Sequence, residues 1–257
     1  MKHYKSNAEL KDLAKERLTG KFSNALFALV LVDLVTRAVS NVTASFIPTG
    51  SLLWSILSIL FTSLIAIFLG VLQTGIAYYF LNAACNRPYN YSNIFYGLQQ
   101  SPERSIKVSA VRVLANTICL LPYQILLLLF LRSFQYTYFI AAGIAMAIGY
   151  VILTPFILSI SQVFHLLLDF PDASPGETIM TSIRIMKGHK WRLFLLELSF
   201  LPLQLLCILS FGLGFLWLNP YMRMTYTLFF LDLMNPAGQN TTHESTYDSN
   251  PEDQISY

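Results

Sequence analysis

Asp33, Arg37, Glu197 and Arg223 are ionisable residues inside otherwise apolar stretches of this 257-residue chain. A charge at the centre of a bilayer costs about 2.5 to 3.5 kcal/mol on insertion scales, so each needs a partner or water. Facing a wet cavity, such groups suit an ion or substrate path; facing each other, they serve packing and folding. Asp33 and Arg37 are four residues apart, so they share a helix face and can pair internally. Glu197 and Arg223 belong to two consecutive apolar runs joined by Ser210-Phe211-Gly212-Leu213-Gly214. At 1.5 Å per residue they lie about 22 Å and about 14 Å from that turn, an offset of about 9 Å. Straight helices therefore disfavour a direct Glu197–Arg223 pair. Arg223 has another outlet in the carbonyls freed by Pro220, which lacks a helical donor.

No other constellation points to catalysis. There is no phosphate-binding loop, no HExxH, no GxSxG and no dinucleotide fingerprint. His3, His165, His189 and His243 are scattered, although His165 has Asp169 one helical turn on, which reads first as an interfacial hydrogen bond and otherwise as a proton relay or a weak metal site. Cys85, Cys119 and Cys207 are far apart, outside any CxxC pattern, and read as buried thiols. No metal or cofactor is expected. Lys187, Lys190 and Arg192 form a basic cluster before the first of the two C-terminal runs and read as a cytoplasmic interface.

The elements that must position these residues follow from composition. Hydrophobic residues make up 54% and charged residues 12%, with mean hydropathy +0.53. Soluble domains carry about 25% charged residues. The chain has too few charges to cover a water-facing surface, so it reads as an all-α, polytopic transmembrane bundle. Apolar runs of about 20 residues predict six spans, at residues 22–46, 52–77, 108–131, 139–167, 192–211 and 215–233, forming one domain over 1–234. Lys and Arg concentrate in the N-terminal segment and in the loops after spans two and four, while alternate loops are nearly bare. The positive-inside rule then puts both termini in the cytoplasm. The formal charge of +3 reflects that distribution rather than a nucleic-acid patch.

Two short helices are expected outside the spans. Lys5 to Leu18 is amphipathic, with Leu10, Leu13, Ala14 and Leu18 on one face; it either rests on anionic headgroups or forms a solvated start to span one. Ser174-Pro175-Gly176-Glu177 carries the N-cap, N1 proline and N3 glutamate of a capping box, and predicts a helix ending near Gly188. The tail, 235–257, is acidic, contains no Lys or Arg, and is expected to be disordered. A cleavage-like Val42-Thr43-Ala44 follows the first apolar run, but Asp33 and Arg37 within that run favour its retention as a span.

The pattern Met186-Lys187-Gly188-His189-Lys190-Trp191-Arg192-Leu193-Phe194, then Leu198-Ser199-Phe200, Gly212-Leu213-Gly214, Leu216-Trp217, Pro220-Tyr221 and Thr225, resembles a bacterial integral membrane family, the domain of unknown function 975. Glu9 to Lys15, with Leu18 and Gly20, fits the same family's start, so the likeness covers about residues 6 to 233. The resemblance implies a bacterial inner-membrane protein and brings no activity with it. The expectation is a non-enzymatic membrane component acting through anionic lipid headgroups or an unidentified membrane protein. The alternative is a small-solute or lipid transporter, or a subunit of one, using Asp33, Arg37, Glu197 and Arg223.

Overall fold

The computed structural model describes residues 4–20, 22–46, 52–88, 90–100 and 102–235. The tail beyond Asn235 and the loop with Pro48 and Gly50 lie outside the described residues. Among those described, the regular structure is helical: α1 (Asn7–Leu18), α2 (Phe22–Phe46), α3 (Leu52–Ala84), a 3-10 turn (Tyr91–Phe95) running into α4 (Tyr96–Gln99), α5 (Pro102–Ser133), α6 (Tyr136–Ser159), α7 (Val163–Asp169), α8 (Pro175–Met186), α9 (Lys190–Leu198), α10 (Leu201–Leu209) and α11 (Phe215–Met234).

Among the described residues, four stretches are long and apolar enough to cross a bilayer: Ile56–Ala84, Pro102–Ser133, Tyr136–Asp169 and Lys190–Leu209. Only 6% of the most apolar window of Pro102–Ser133 is buried, so the rest of that surface faces a solvent other than water. Leu114, Ile118, Ile125, Ile144, Ile148 and Ile152 are among the side chains exposed there and on α6. The chain is a multi-pass helical membrane protein. Helix α11 and the described apolar part of α2, Phe22–Leu34, fall short of the same length and hydropathy. In α11 the reason is composition, since Asn219, Arg223 and Asp232 interrupt its apolar residues.

The long helices pack by close backbone approach, as expected where lipid removes the hydrophobic drive between helices. The most extensive contact joins α5 to α6. There Gly149 meets α5 so closely that an added Cβ would stand 2.7 Å from the Cys119 carbonyl oxygen.

The buried side chains gather at one end of the bundle. Leu81, Leu166 and Phe230 bring α3, α7 and α11 to a common level, and Ala77, Val108, Ile160 and Val163 add α5 and the end of α6. Two helices at this end have complete capping boxes. Ser174 Oγ accepts from the Glu177 N–H at 3.2 Å while the Glu177 carboxylate accepts from the Ser174 N–H at 2.8 Å. Ser6 and Glu9 do the same at the start of α1.

Two predicted spans are broken. The fourth divides at Ile160, just after the Ser159 hydroxyl bonds back to the Pro155 carbonyl. The fifth divides at Ser199–Phe200, two residues before Pro202, where the missing proline N–H interrupts the helical ladder. α1 packs its apolar face on protein. It runs antiparallel along α11 with Leu10, Ala14 and Leu18 buried.

Candidate functional site

The four intramembrane candidates do not meet at one point. Asp33 and Arg37 form a self-contained ion pair at 2.6 Å on α2, with side chains 60% and 73% exposed. Glu197 and Arg223 form no ion pair with each other. Their common neighbours are Arg112 of α5, which interacts electrostatically with both, and Tyr226 of α11, which also feels both. Arg112, Glu197 and Arg223 are all exposed at the surface of the helix bundle. The Ser199–Phe200 break lies between Glu197 and the turn, so the depth expected of a straight helix does not apply to Glu197. Arg112 reads in the sequence as a topology charge; only packing places it beside Glu197.

His165 borders the same region. Its Nε2 lies 3.3 Å from Thr227 Oγ1, its ring stacks on Phe230 at 4.9 Å, and its Nδ1 is buried without a hydrogen-bond partner. Thr227, rather than Asp169, is its hydrogen-bond partner. Cys85, Cys119 and Cys207 are free thiols, but only Cys207 is buried as expected; Cys119 is half-buried and Cys85, just past the end of α3, is exposed. Among the described residues no group of three His, Cys, Asp or Glu side chains could hold a metal ion.

The basic cluster separates into different tasks. Lys187 is the exposed C-cap of α8, and Lys190 is a half-buried first residue of α9. Arg192 is directed inward. Its guanidinium meets the Asp232 carboxylate at 2.5 Å and donates to the Lys5 carbonyl at 2.6 Å. Asp232 is 2% exposed and also accepts from the Lys5 N–H at 3.2 Å. The Arg192 guanidinium lies 4.8 Å from the Phe229 ring and 5.3 Å from that of Tyr4, a cation–π arrangement on each. This cluster ties the start of α1 to the end of α11. Asp232 sits in a sequence that reads as the last turn of a span, and nothing in its spacing announces a partner forty residues earlier.

Docking of α1 creates a groove of about 870 Å³ between α1 and the α10–α11 hairpin. Its walls are apolar, formed by Leu18, Phe22, Leu203, Leu206, Trp217 and Leu218. Lys11 and Lys15, one helical turn apart on α1, stand at its edge with no carboxylate among the lining residues. Lys11 donates to the Ser199 carbonyl at 2.9 Å and lies 4.2 Å from the centre of the Phe200 ring; Lys15 reaches Asp12 at 3.3 Å. Burial lowers the Lys11 pKa, and the like charge of Lys15 lowers it further. An anion between the two ammonium groups would relieve that repulsion. The lysines and the apolar hairpin are each visible in the sequence; the groove exists only because α1 folds onto the hairpin.

No curated protein and no solved structure matches the chain. One family model covers residues 1–236, which include every described residue. By that match the chain belongs to the family described as "Protein of unknown function (DUF975)".

Proposed function

We propose that this protein is a non-enzymatic component of a bacterial inner membrane that works by holding an acidic lipid. Both termini lie in the cytoplasm: an even number of crossings puts them on one side, and the basic loops mark that side as cytoplasmic. The groove between α1 and the α10–α11 hairpin carries the reading, because it pairs apolar walls with two cations. Its volume lies within the range of about 300 to 1,000 Å³ usual for small-molecule sites. A lipid chain against Leu203, Leu206 and Leu218 would place an acidic headgroup near Lys11 and Lys15, where each cation contributes about 1 kcal/mol toward an anionic surface. The titratable groups lining the groove are the two lysines, Cys207 and Tyr221, with no carboxylate or imidazole to activate a nucleophile.

The test is native mass spectrometry of protein released from nanodiscs containing equal phosphatidylglycerol and phosphatidylcholine. One retained phosphatidylglycerol is expected, with preference lost in Lys11→Gln/Lys15→Gln. Retention of both lipids at their bulk ratio would refute the charge selection, and no retained lipid would refute the lipid reading altogether.

A transport role is the second reading, favoured by the mutual proximity of Arg112, Glu197 and Arg223 on α5, α9 and α11, three charges on apolar helices. Glu197→Gln and Arg223→Gln are then expected to change solute or lipid flux in reconstituted vesicles. Unchanged flux of every candidate solute and lipid removes that reading.

A further inference from the structure

We infer that α10 and α11 form a re-entrant hairpin, which enters and leaves the bilayer from the α1 side and ends with its apolar tip in the hydrocarbon. Depth is the first ground. Phe230 packs at the level of Leu81. From Phe230 back to the tip at Gly214 is about 24 Å of helix at 1.5 Å per residue. From Leu81 back to the start of α3 at Leu52 is about 44 Å. Val108 and Ile160 share a level with Ala77, one turn below Leu81, and the far ends of α5 and α6 lie about 36 Å beyond them. The hairpin therefore stops about 20 Å short of the far ends of α3, α5 and α6. Tilt of α11 makes it shallower still, while an equal tilt of all the helices leaves the order of depths unchanged.

The hydrocarbon continues beyond that tip. Below its level, Phe61 and Leu57 on α3, Leu121 and Ile125 on α5, and Ile144 and Ile140 on α6 are all exposed. Those side chains need lipid, so the tip lies within the apolar layer and not at its far boundary.

The tip is built for that solvent. Phe211 is 100% exposed, Leu209 77% and Leu213 64%, and the turn carries no charge. A water-facing turn has no use for such residues; a lipid-facing turn must satisfy its own backbone. It does so. Phe211 N–H donates to the Ile208 carbonyl at 3.1 Å, Gly212 to Cys207 at 2.9 Å, and Leu213 to Ser210 at 3.1 Å. Gly214 N–H uses the Ser210 hydroxyl at 3.0 Å, and Phe215, Leu216 and Trp217 donate to carbonyls within the turn. The Ser210 hydroxyl in turn donates to the Cys207 carbonyl. Every backbone donor from Ser210 to Trp217 thus has an acceptor inside the hairpin.

A shallow hairpin also explains how Lys11, Lys15 and Gly20 share a groove with Gly214 and Trp217. A crossing hairpin would leave Gly214 and Trp217 at the opposite face from α1. The count becomes four crossings, by α2, α3, α5 and α6, with the termini still on one side.

The experiment places a single cysteine at Phe211 in the full chain, with Cys85, Cys119 and Cys207 replaced by serine. Phe134→Cys, in the turn between α5 and α6, and Lys187→Cys, after α8, mark the two faces. A membrane-impermeant maleimide is expected to label Lys187→Cys from one side and Phe134→Cys from the other. Phe211→Cys should react from neither side until detergent is added. Labelling of Phe211→Cys from the Phe134 side would show a crossing, and labelling from the Lys187 side a surface hairpin; either overturns the inference. A measurement that leaves the tip intact uses Trp54→Phe/Trp191→Phe, so that Trp217 alone fluoresces. Quenching should be strongest from lipids brominated near the middle of the chain. Strongest quenching from bromines next to the headgroup would contradict it.

Discussion

Replacing Asp232 by asparagine tests what holds α1 in place. The substitution keeps size and shape but removes the charge that faces Arg192. Asp232 is 2% exposed and Arg192 18%, so water cannot replace the lost partner. Breaking a buried pair by removing one member costs about 3 to 5 kcal/mol, because the survivor stays desolvated. The asparagine amide would retain a neutral acceptor for Lys5 N–H, worth about 1 kcal/mol, and Arg192 keeps the Lys5 carbonyl. The Arg192 Nη1 has no other partner to compensate. A loss of about 3 kcal/mol is expected, which raises the undocked fraction of α1 roughly 150-fold. Trypsin cleavage at Lys11 and Lys15 in mild detergent reads that fraction directly, provided α1 recloses faster than it is cut. An Arg192→Met/Asp232→Leu double variant should recover most of the protection, since apolar replacement of both members of a buried pair is often neutral. Wild-type cleavage of the Asp232→Asn protein would refute the reasoning and leave the apolar face of Leu10, Ala14 and Leu18 as the sole tether.

Three further outcomes follow from local geometry. Gly75→Ala should prevent proper docking of the 3-10 turn on α3, because the new Cβ would overlap the Ile94 carbonyl, a backbone atom that cannot swing aside; a lowered melting temperature in detergent, with helical content retained, is the expected reading. Hydrogen bonds from the Ser174 backbone and side chain hold the Glu177 carboxyl below its usual pKa. A depressed folded pKa gives stability that is present above the unfolded value near 4.3 and lost as pH falls through the folded one. Amide protection in the first turn of α8, corrected for intrinsic exchange, should fall below about pH 4 in the native protein and show no such step in Glu177→Gln. Glu197→Gln should change stability by no more than about 0.5 kcal/mol, as expected of an exposed side chain without an ion pair; a larger drop in melting temperature would give Glu197 a structural role.

Where the sequence is legible, the physics is local. The Ser174–Glu177 capping box depends on residues three apart, and the structure contains it. The Asp33–Arg37 pair depends on one helical turn and forms as spacing predicts. Apolar length and composition alone mark a multi-pass protein. Span ends are less legible, because α3 and α5 continue past the apolar core into the packed end of the bundle, where Tyr79, Phe80 and Ser105 are buried by neighbours.

The remaining features depend on which distant surfaces meet. Asp232 finds Arg192 and Lys5 only when α1, α9 and α11 converge. Lys11 and Lys15 border an apolar groove only because α1 packs on α11. Arg112 approaches Glu197 across a helix boundary that periodicity cannot cross. The solvent, the helices and their caps are already written in the chain, since they follow from hydropathy, turn spacing and hydrogen-bonding side chains a few residues apart. How deep each helix sits, and which charges face one another, is settled by long-range packing, whose information is shared among residues far apart in the chain.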